Sequence, residues 1–338
     1  MRQSIFAAFP FLRSFATVFP AVALVVASLV SCETNETASM ATQAPVPAHG
    51  YTNPSDSGGT PAAYQPVDTN GQTAQVPGPT PILFNGFGVD ELDEANKPNI
   101  TAKAAILVDA RGRVLFEKNA DTRLPCASTQ KLLLGILVAE RGNLSAPVTI
   151  TDEDTWAEPT KMGIKAGQVY TRAELLHAVL VRSSNDIANA LGRDHSGSIP
   201  AFVANMNQKA RSLGMYDSHF TNAHGLPSPP GQYSTARDLA KLGAAALRNP
   251  TVRRSVGTKS TIFRFSDGTT KTCNNTNQVL RHFPYCTGLK TGYTNAAGRC
   301  LVSSATANGR SVIAVILGST SPTVWEESEA LLKYGLKM

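Results

Sequence analysis

Apolar and polar positions follow several rhythms along this chain. Residues 104–119, AAILVDARGRVLFEKN, alternate and are split by Ala-Arg-Gly, a pattern that predicts a β-hairpin. Residues 128–141 are apolar on most faces, so they predict a buried helix. The stretch YTRAELLHAVLVRSSNDIANALGRD predicts two helices, 171–181 and 186–192, broken at Arg182-Ser183-Ser184-Asn185. Two further helices follow in IPAFVANMNQKARSLG and STARDLAKLGAAALRNP. In the second, Ser234 is the expected N-cap, Asp238 lies in the first turns and Pro250 stands past the end.

The rhythm then changes. STIFRFSDGTTKT predicts a hairpin around Asp267-Gly268. YCTGLKTGY, RCLVSSATANGR and SVIAVILGS predict three successive strands, with Asn308-Gly309 turning between the last two. VWEESEALLKYGLKM predicts a closing helix. A first strand pair, a helical middle, three strands and a last helix describe an α+β domain whose antiparallel sheet joins the early and late segments.

Ahead of residue 86 the pattern is different. Arg2 and Arg13 precede an apolar run over residues 15–30 that ends in small residues, which predicts a secretory signal over 1–31. An uncleaved anchor is the alternative. Leu29-Val30-Ser31-Cys32 resembles a bacterial lipobox, which makes Cys32 the expected lipidation site and new N-terminus. The protein is therefore expected to be exported, periplasmic or otherwise extracytoplasmic, and lipid-anchored to a bacterial membrane. Residues 32–85 are rich in Thr, Ala, Pro, Gly and Ser and lack periodicity, so they read as a disordered tether. Residues 86–338 form the expected catalytic domain.

Composition narrows the classes. Hydrophobic residues make up 42% of the 338, enough for a sizeable core. The net charge of +6 is mild and scattered, which argues against a nucleic-acid partner. Four cysteines follow Cys32: Cys126, Cys273, Cys286 and Cys300. Export permits disulfides. Cys273 with Cys286 is the favoured pair, since they bracket the loop before the strand bearing Lys290; free buried thiols are the equal alternative. No histidine has metal-ligand spacing. His219 and His224 fit turn or core positions, and no metal or other cofactor is expected.

The candidate chemistry begins in CASTQKLL, residues 126–133. Ser128 and Lys131 are three apart at a helix start, so they share a face. One reading is a serine cap and a lysine that reaches to solvent. The other is a serine nucleophile and a lysine base whose pKa is lowered by burial and a second cation. Two further pieces favour the second reading. Ser183-Ser184-Asn185 sits at the helix break, and Lys290-Thr291-Gly292 sits on a predicted strand, where the glycine lets a substrate backbone approach. S-x-x-K, S-x-N and K-T-G occur here in order.

With these motifs the chain resembles the serine D-Ala-D-Ala carboxypeptidases, the low-molecular-mass penicillin-binding proteins, over roughly residues 100–335. The blocks LVRSSNDIANALG, HFTNAHGLPSPPGQYSTARDLA and GLKTGYTNAAGRCLVSSATANGRSVIAVILG carry the likeness. It implies a penicilloyl-serine-transferase fold, the β-lactamase/transpeptidase-like fold, with a helical subdomain beside a five-stranded antiparallel sheet. It implies Ser128 as nucleophile, Lys131 as general base, Ser183 as proton relay and Asn185 as a holder of substrate amide and of Lys131. Lys290 would tune the site's potential, and Thr291 would meet the carboxylate end of the substrate. Gly292, Tyr293 and Thr294 would also line the substrate, with the Ser128 and Tyr293 N–H groups as oxyanion hole. The implied partners are peptidoglycan stem peptides and β-lactams, with no cofactor.

Departures from the family pattern are few. Gln130 stands where threonine is usual. Ser321-Pro322-Thr323-Val324-Trp325 holds no arginine where many relatives have one before the last helix; Arg281 and Thr294 are the expected substitutes. A D,D-endopeptidase using the same residues is one alternative. A serine β-lactamase is less favoured, because no glutamate occurs between Glu174 and Glu326. A catalytically silent peptidoglycan-binding lipoprotein would lack part of the motif set, and all of it is present.

Overall fold

The computed structural model describes residues 94–338; the expected signal, Cys32 and the tether lie outside them. The chain opens with β1 (Ala104–Asp109) and β2 (Val114–Lys118), then α1 (Lys131–Arg141). A short pair, β3 (Pro147–Thr149) and β4 (Val169–Thr171), frames the next loop. Five helices follow: α2 (Arg172–Arg182), α3 (Asn185–Ser196), α4 (Ile199–Ser212), α5 (Ala236–Arg248) and α6 (Pro250–Val256). Next come β5 (Ser260–Arg264), β6 (Thr270–Asn274) and α7 (Gln278–His282). The chain closes with β7 (Cys286–Thr294), β8 (Gly298–Ala307), β9 (Arg310–Ser319) and α8 (Thr323–Leu336).

One five-stranded antiparallel sheet in the order β2-β1-β9-β8-β7 organises these elements. The expected union of early and late strands is the pairing of β1 with β9. Both faces of the sheet are covered, which is why β1 and β9 read as almost continuous apolar runs. Ile106, Val302 and Val315 point into the core shared with the helical middle. Leu107, Leu301 and Ile316 point the other way, to Leu331 and Leu332 of α8. Buried Glu327 of α8 fastens that helix to the entry of β1. It accepts hydrogen bonds from the N–H groups of Thr101 and Ala102, from Thr101 Oγ1 and from Ser319 Oγ.

The α1 helix is the centre of the helical half. Leu132, Leu133, Leu134, Ile136, Leu137 and Val138 are all buried, so it is a core helix, as its sequence predicts. The α2 helix begins with a capping box between Thr171 and Glu174. It ends at Ser183, which takes a left-handed conformation at φ 70°. The predicted break at residues 182–185 is therefore real, and α3 runs further than expected, to Ser196.

Some local expectations need correction. The segment expected to be α-helical from residue 128 begins as a 3-10 turn over Ala127–Gln130, and the α-helix starts at Lys131. The N-cap of α5 is Thr235, whose side chain accepts the Asp238 N–H at 3.0 Å; Ser234 instead exchanges backbone hydrogen bonds with Leu124. Pro250 does not only follow α5: it occupies the first turn of α6, capped by Asn249. The favoured Cys273–Cys286 disulfide is not formed. All four described cysteines are free and buried. Cys273 packs toward Met162 in one core, and Cys286 lies in the other, on the far side of the sheet. Among the described residues no helix is long and apolar enough to cross a membrane.

Candidate active site

Ser128 sits on a turn that its neighbours hold from both sides. Ala127 just before it has φ 49°, a costly value for a residue with a Cβ. Thr129 Oγ1 donates to Cys126 O at 2.7 Å, and Gln130 Nε2 donates to Asn222 O at 2.6 Å. The residue ahead of α1 is Gln130, with no side-chain cap, so Ser128 is not spent as an N-cap. Lys131 does not reach solvent either; it is 0% exposed. The reading in which the two face each other therefore holds.

Lys131 Nζ lies 2.7 Å from Ser128 Oγ, 2.8 Å from Asn185 Oδ1 and 2.6 Å from His224 O. Its pKa is driven well below the usual lysine range. Burial is the main cause, the nearby Lys290 adds to it, and Asp186 partly opposes it. Asp186 is itself occupied: its carboxylate accepts the N–H groups of Met162, Gly163 and Ile187, each at 2.9 Å. It thereby fixes the loop wall over residues 159–163.

The second amine comes from β7. Lys290 is buried, donates to Ser183 Oγ at 2.8 Å and to Thr291 O at 3.0 Å, and has its pKa lowered to about 7 by burial. Thr291 Oγ1 meets Thr276 Oγ1 at 2.6 Å. Ser128, Ser183, Asn185, Thr291, Gly292, Tyr293 and Thr294 thus converge on one cleft of ≈ 600 Å³, with Lys131 and Lys290 behind its floor. The left-handed turn at Ser183 aims one hydroxyl at Lys290, while Asn185 opens α3 toward Lys131.

One part of the site has no side-chain signature. The loop over residues 222–226 passes directly behind Ser128. The His224 carbonyl accepts from Ser128 Oγ at 3.1 Å as well as from Lys131. Asn222 Oδ1 accepts the N–H groups of His224 and Gly225, at 3.1 and 2.7 Å, and so keeps this carbonyl in place. The His224 ring accepts the Leu226 N–H and stays neutral, its pKa pushed down to about 3 by burial and by Lys131. This is the turn role expected for that histidine. Gly225 has φ 95°, and a Cβ there would lie 2.3 Å from Ala127 O. A Cβ on Gly292 would lie 3.0 Å from Ser128 N, so β7 reaches the nucleophile only because that position is glycine.

The cleft walls carry two charged residues among those described, Arg182 and Arg299, and no carboxylate. Arg281, an expected substitute for the family arginine, belongs to α7 and does not line the cleft. Thr294 does line it, but its hydroxyl accepts the Ala297 N–H at 3.0 Å. Cys126 and Cys300 flank the site as inert thiols, their pKa values raised by burial to about 12 and about 11. No group of three or more metal-ligating side chains occurs among the described residues.

Comparison with known proteins agrees with this geometry. A family model described as D-alanyl-D-alanine carboxypeptidase matches residues 92–321. The D-alanyl-D-alanine carboxypeptidase DacB2 of Mycobacterium tuberculosis is 35% identical over 247 residues, covering 71% of this chain and 84% of that protein. DacF of Bacillus subtilis, of the same description, is 31% identical over 227 residues; the match covers 65% of this chain and 58% of the relative. A crystal structure of D-alanyl-D-alanine carboxypeptidase from Mycobacterium tuberculosis superposes with a TM-score of 0.68 at 33% identity, over 71% of this chain and 93% of that one.

Proposed function

The chain belongs to the D-alanyl-D-alanine carboxypeptidase family, and from that premise we propose that it removes the terminal D-alanine of peptidoglycan stem peptides through an acyl-enzyme on Ser128. One observation carries the assignment of roles: a fully buried lysine amine 2.7 Å from a serine hydroxyl, with both its other neighbours carbonyl oxygens. A neutral amine has two N–H donors and one lone pair. Asn185 Oδ1 and His224 O take the donors, and when the Ser128 hydroxyl turns its proton from the His224 carbonyl to the amine, the lone pair is there to receive it.

As Ser128 Oγ attacks the carbonyl carbon between the two D-alanines, its proton passes to Lys131 Nζ. The N–H groups of Ser128 and Tyr293 receive the oxyanion. The C–N bond breaks, and the proton reaches the departing amine by way of Ser183, whose hydroxyl Lys290 holds at 2.8 Å. Water enters the vacated space, gives a proton to Lys131 Nζ and attacks the acyl carbon; the ester bond to Ser128 Oγ breaks, Lys131 returns the proton to that oxygen, and the shortened peptide leaves. Asn185 holds the substrate amide, and Thr291 meets the carboxylate end.

β-Lactams acylate the same serine. The cleft walls bear no carboxylate to activate a second water, and the tethered leaving amine of an opened lactam stays in the water's place. A long-lived penicilloyl enzyme is the expected result, and this favours a penicillin-binding peptidase over a β-lactamase. The test is Ser128→Ala with a pentapeptide ending in D-Ala-D-Ala and with fluorescent penicillin. Both D-alanine release and labelling should vanish; retention of either sinks the assignment.

The protein is further proposed to be exported and held at a bacterial membrane through lipidated Cys32. The apolar run over residues 15–30 and the Leu29-Val30-Ser31-Cys32 sequence support this. Cys32→Ala should move the protein from the membrane to the soluble fraction. A variant that stays with the membrane contradicts the anchor.

A further inference from the structure

We propose that Arg299 binds the free C-terminal carboxylate of the peptide and so makes the enzyme cut at chain ends; the proposal rests on the carboxypeptidase reading above. A carboxypeptidase differs from an endopeptidase in one feature of its leaving group, a negative charge one residue beyond the scissile bond. A cation beside the cleft is the means to read that charge. The cleft walls offer Arg182 and Arg299 and no opposing carboxylate.

Strand register places Arg299 correctly. In the antiparallel pair β7–β8, Arg299 stands opposite Tyr293 and Leu301 stands opposite Thr291. Side chains directly opposite share a face, and so do alternate residues along a strand. Thr291, Tyr293 and Arg299 therefore project to one side of the sheet, the side on which Leu301 packs under α8. Thr291, the residue assigned to the carboxylate end, is the diagonal neighbour of Arg299. Such neighbours lie about 7–8 Å apart, within the reach of a long side chain. Trp325, at the start of α8, lines the same cleft.

The state of the guanidinium also fits. Its carbon sits 4.5 Å from the centre of the Tyr293 ring, and Tyr293 Oη in turn donates to Asn295 Oδ1 at 3.0 Å. A guanidinium held by its face keeps its in-plane N–H groups free for a bidentate carboxylate. Among the described residues the Arg299 side chain has no hydrogen-bonding or ionic partner. Most other cleft-side polar groups are already engaged: Thr294 with Ala297 N–H, Lys290 with Ser183, Thr276 with Thr291. Arg182 closes α2 beside the Ser183 turn, on a different element from the β7–β8 pair that carries Thr291 and Arg299.

The experiment compares a peptide ending in D-Ala-D-Ala as free acid with the same peptide as C-terminal amide, following release of the last residue. Wild type should prefer the acid. Arg299→Gln should lower kcat/KM for the acid by about 10- to 100-fold, the worth of one charge-assisted pair, and leave the amide within about 2-fold. Arg299→Lys should recover part of the preference, and it covers the case in which the glutamine variant loses its fold, checked by the unfolding midpoint. Arg182→Gln should keep the preference. An unchanged acid-to-amide ratio in both Arg299 variants overturns the proposal, as does a ratio that collapses in Arg182→Gln. A wild-type protein that cleaves neither peptide and takes no label from penicillin removes the carboxypeptidase reading and this proposal together.

Discussion

Replacing Lys290 by methionine should make the protein more stable and less active. Lys290 is 1% exposed, and burial holds its pKa at about 7 against an ordinary 10.5. In the unfolded chain the same amine is charged until the pH passes 10.5. Carrying it in the fold therefore costs about 4 kcal/mol at pH 7. Methionine has a similar length and no polar head, so Lys290→Met removes that cost. The change also strips a partner from Ser183 Oγ and from Thr291 O, at about 1 kcal/mol each. The balance is a gain of about 2 kcal/mol, or about 4–8 °C in the unfolding midpoint for a domain of this size.

The sign of the pH dependence is the sharper check. The folded pKa lies below the unfolded one, so between the two the unfolded chain binds more protons. The wild-type deficit is then full at and below neutral pH and fades as pH rises toward 10.5. Urea unfolding of both proteins at several pH values from about 6 to about 10 reads this directly. The advantage of the methionine variant should shrink steadily, vanish at about pH 9 and reverse by about pH 10, where the lost hydrogen bonds outweigh the remaining cost. A variant less stable than wild type at neutral pH, or an advantage that stays constant with pH, refutes the reasoning. Penicillin labelling of the same variant should fall, since Ser183 loses its amine.

Asn185→Asp would put a carboxylate 2.8 Å from Lys131 Nζ and favour its charged form. The acid limb of the kcat/KM profile should move to higher pH, with activity at neutral pH reduced at least about 10-fold; an unmoved limb contradicts Lys131 as the base. Gly225→Ala would drive a Cβ to 2.3 Å from Ala127 O at a φ of 95°. The turn that aims Ser128 must shift, so acylation by fluorescent penicillin should slow by at least about 10-fold, as misplaced reacting groups do. An unchanged acylation rate would show that the loop does not set the nucleophile.

The parts of this site that could be read in advance are those whose side chains do the work. S-x-x-K, S-x-N and K-T-G name their own chemistry, and the apolar run after Lys131 already implies its burial. The inner strands β1 and β9 were legible because they are covered on both faces and so are nearly unbroken apolar runs. What escaped was backbone chemistry. The His224 carbonyl touches both Ser128 and Lys131, yet any residue supplies a carbonyl, and only the Asn222 and Gly225 environment makes this one important. Arg299 escaped for another reason. It is one basic residue in an otherwise ordinary strand, and its position over the cleft depends on register with β7, which pairing sets. At Thr235 and Ser234 either residue can cap a helix; the bridge to Leu124 decides by occupying the Ser234 backbone.

The closure of the sheet also dictates when the protein becomes reactive. Lys131 and Asn185 are 54 positions apart, Ser183 and Lys290 are 107 apart, and the Glu327 clasp reaches back 226 positions to Thr101. Such high contact order makes assembly late and slow, since each long loop must close before its contacts repay it. A nascent chain that has not yet brought β9 beside β1 has no tuned lysine and no aimed hydroxyl. Capacity to be labelled by penicillin thus reports arrival of the final strands and helix, and a pulse of labelled lactam during refolding would time that last step.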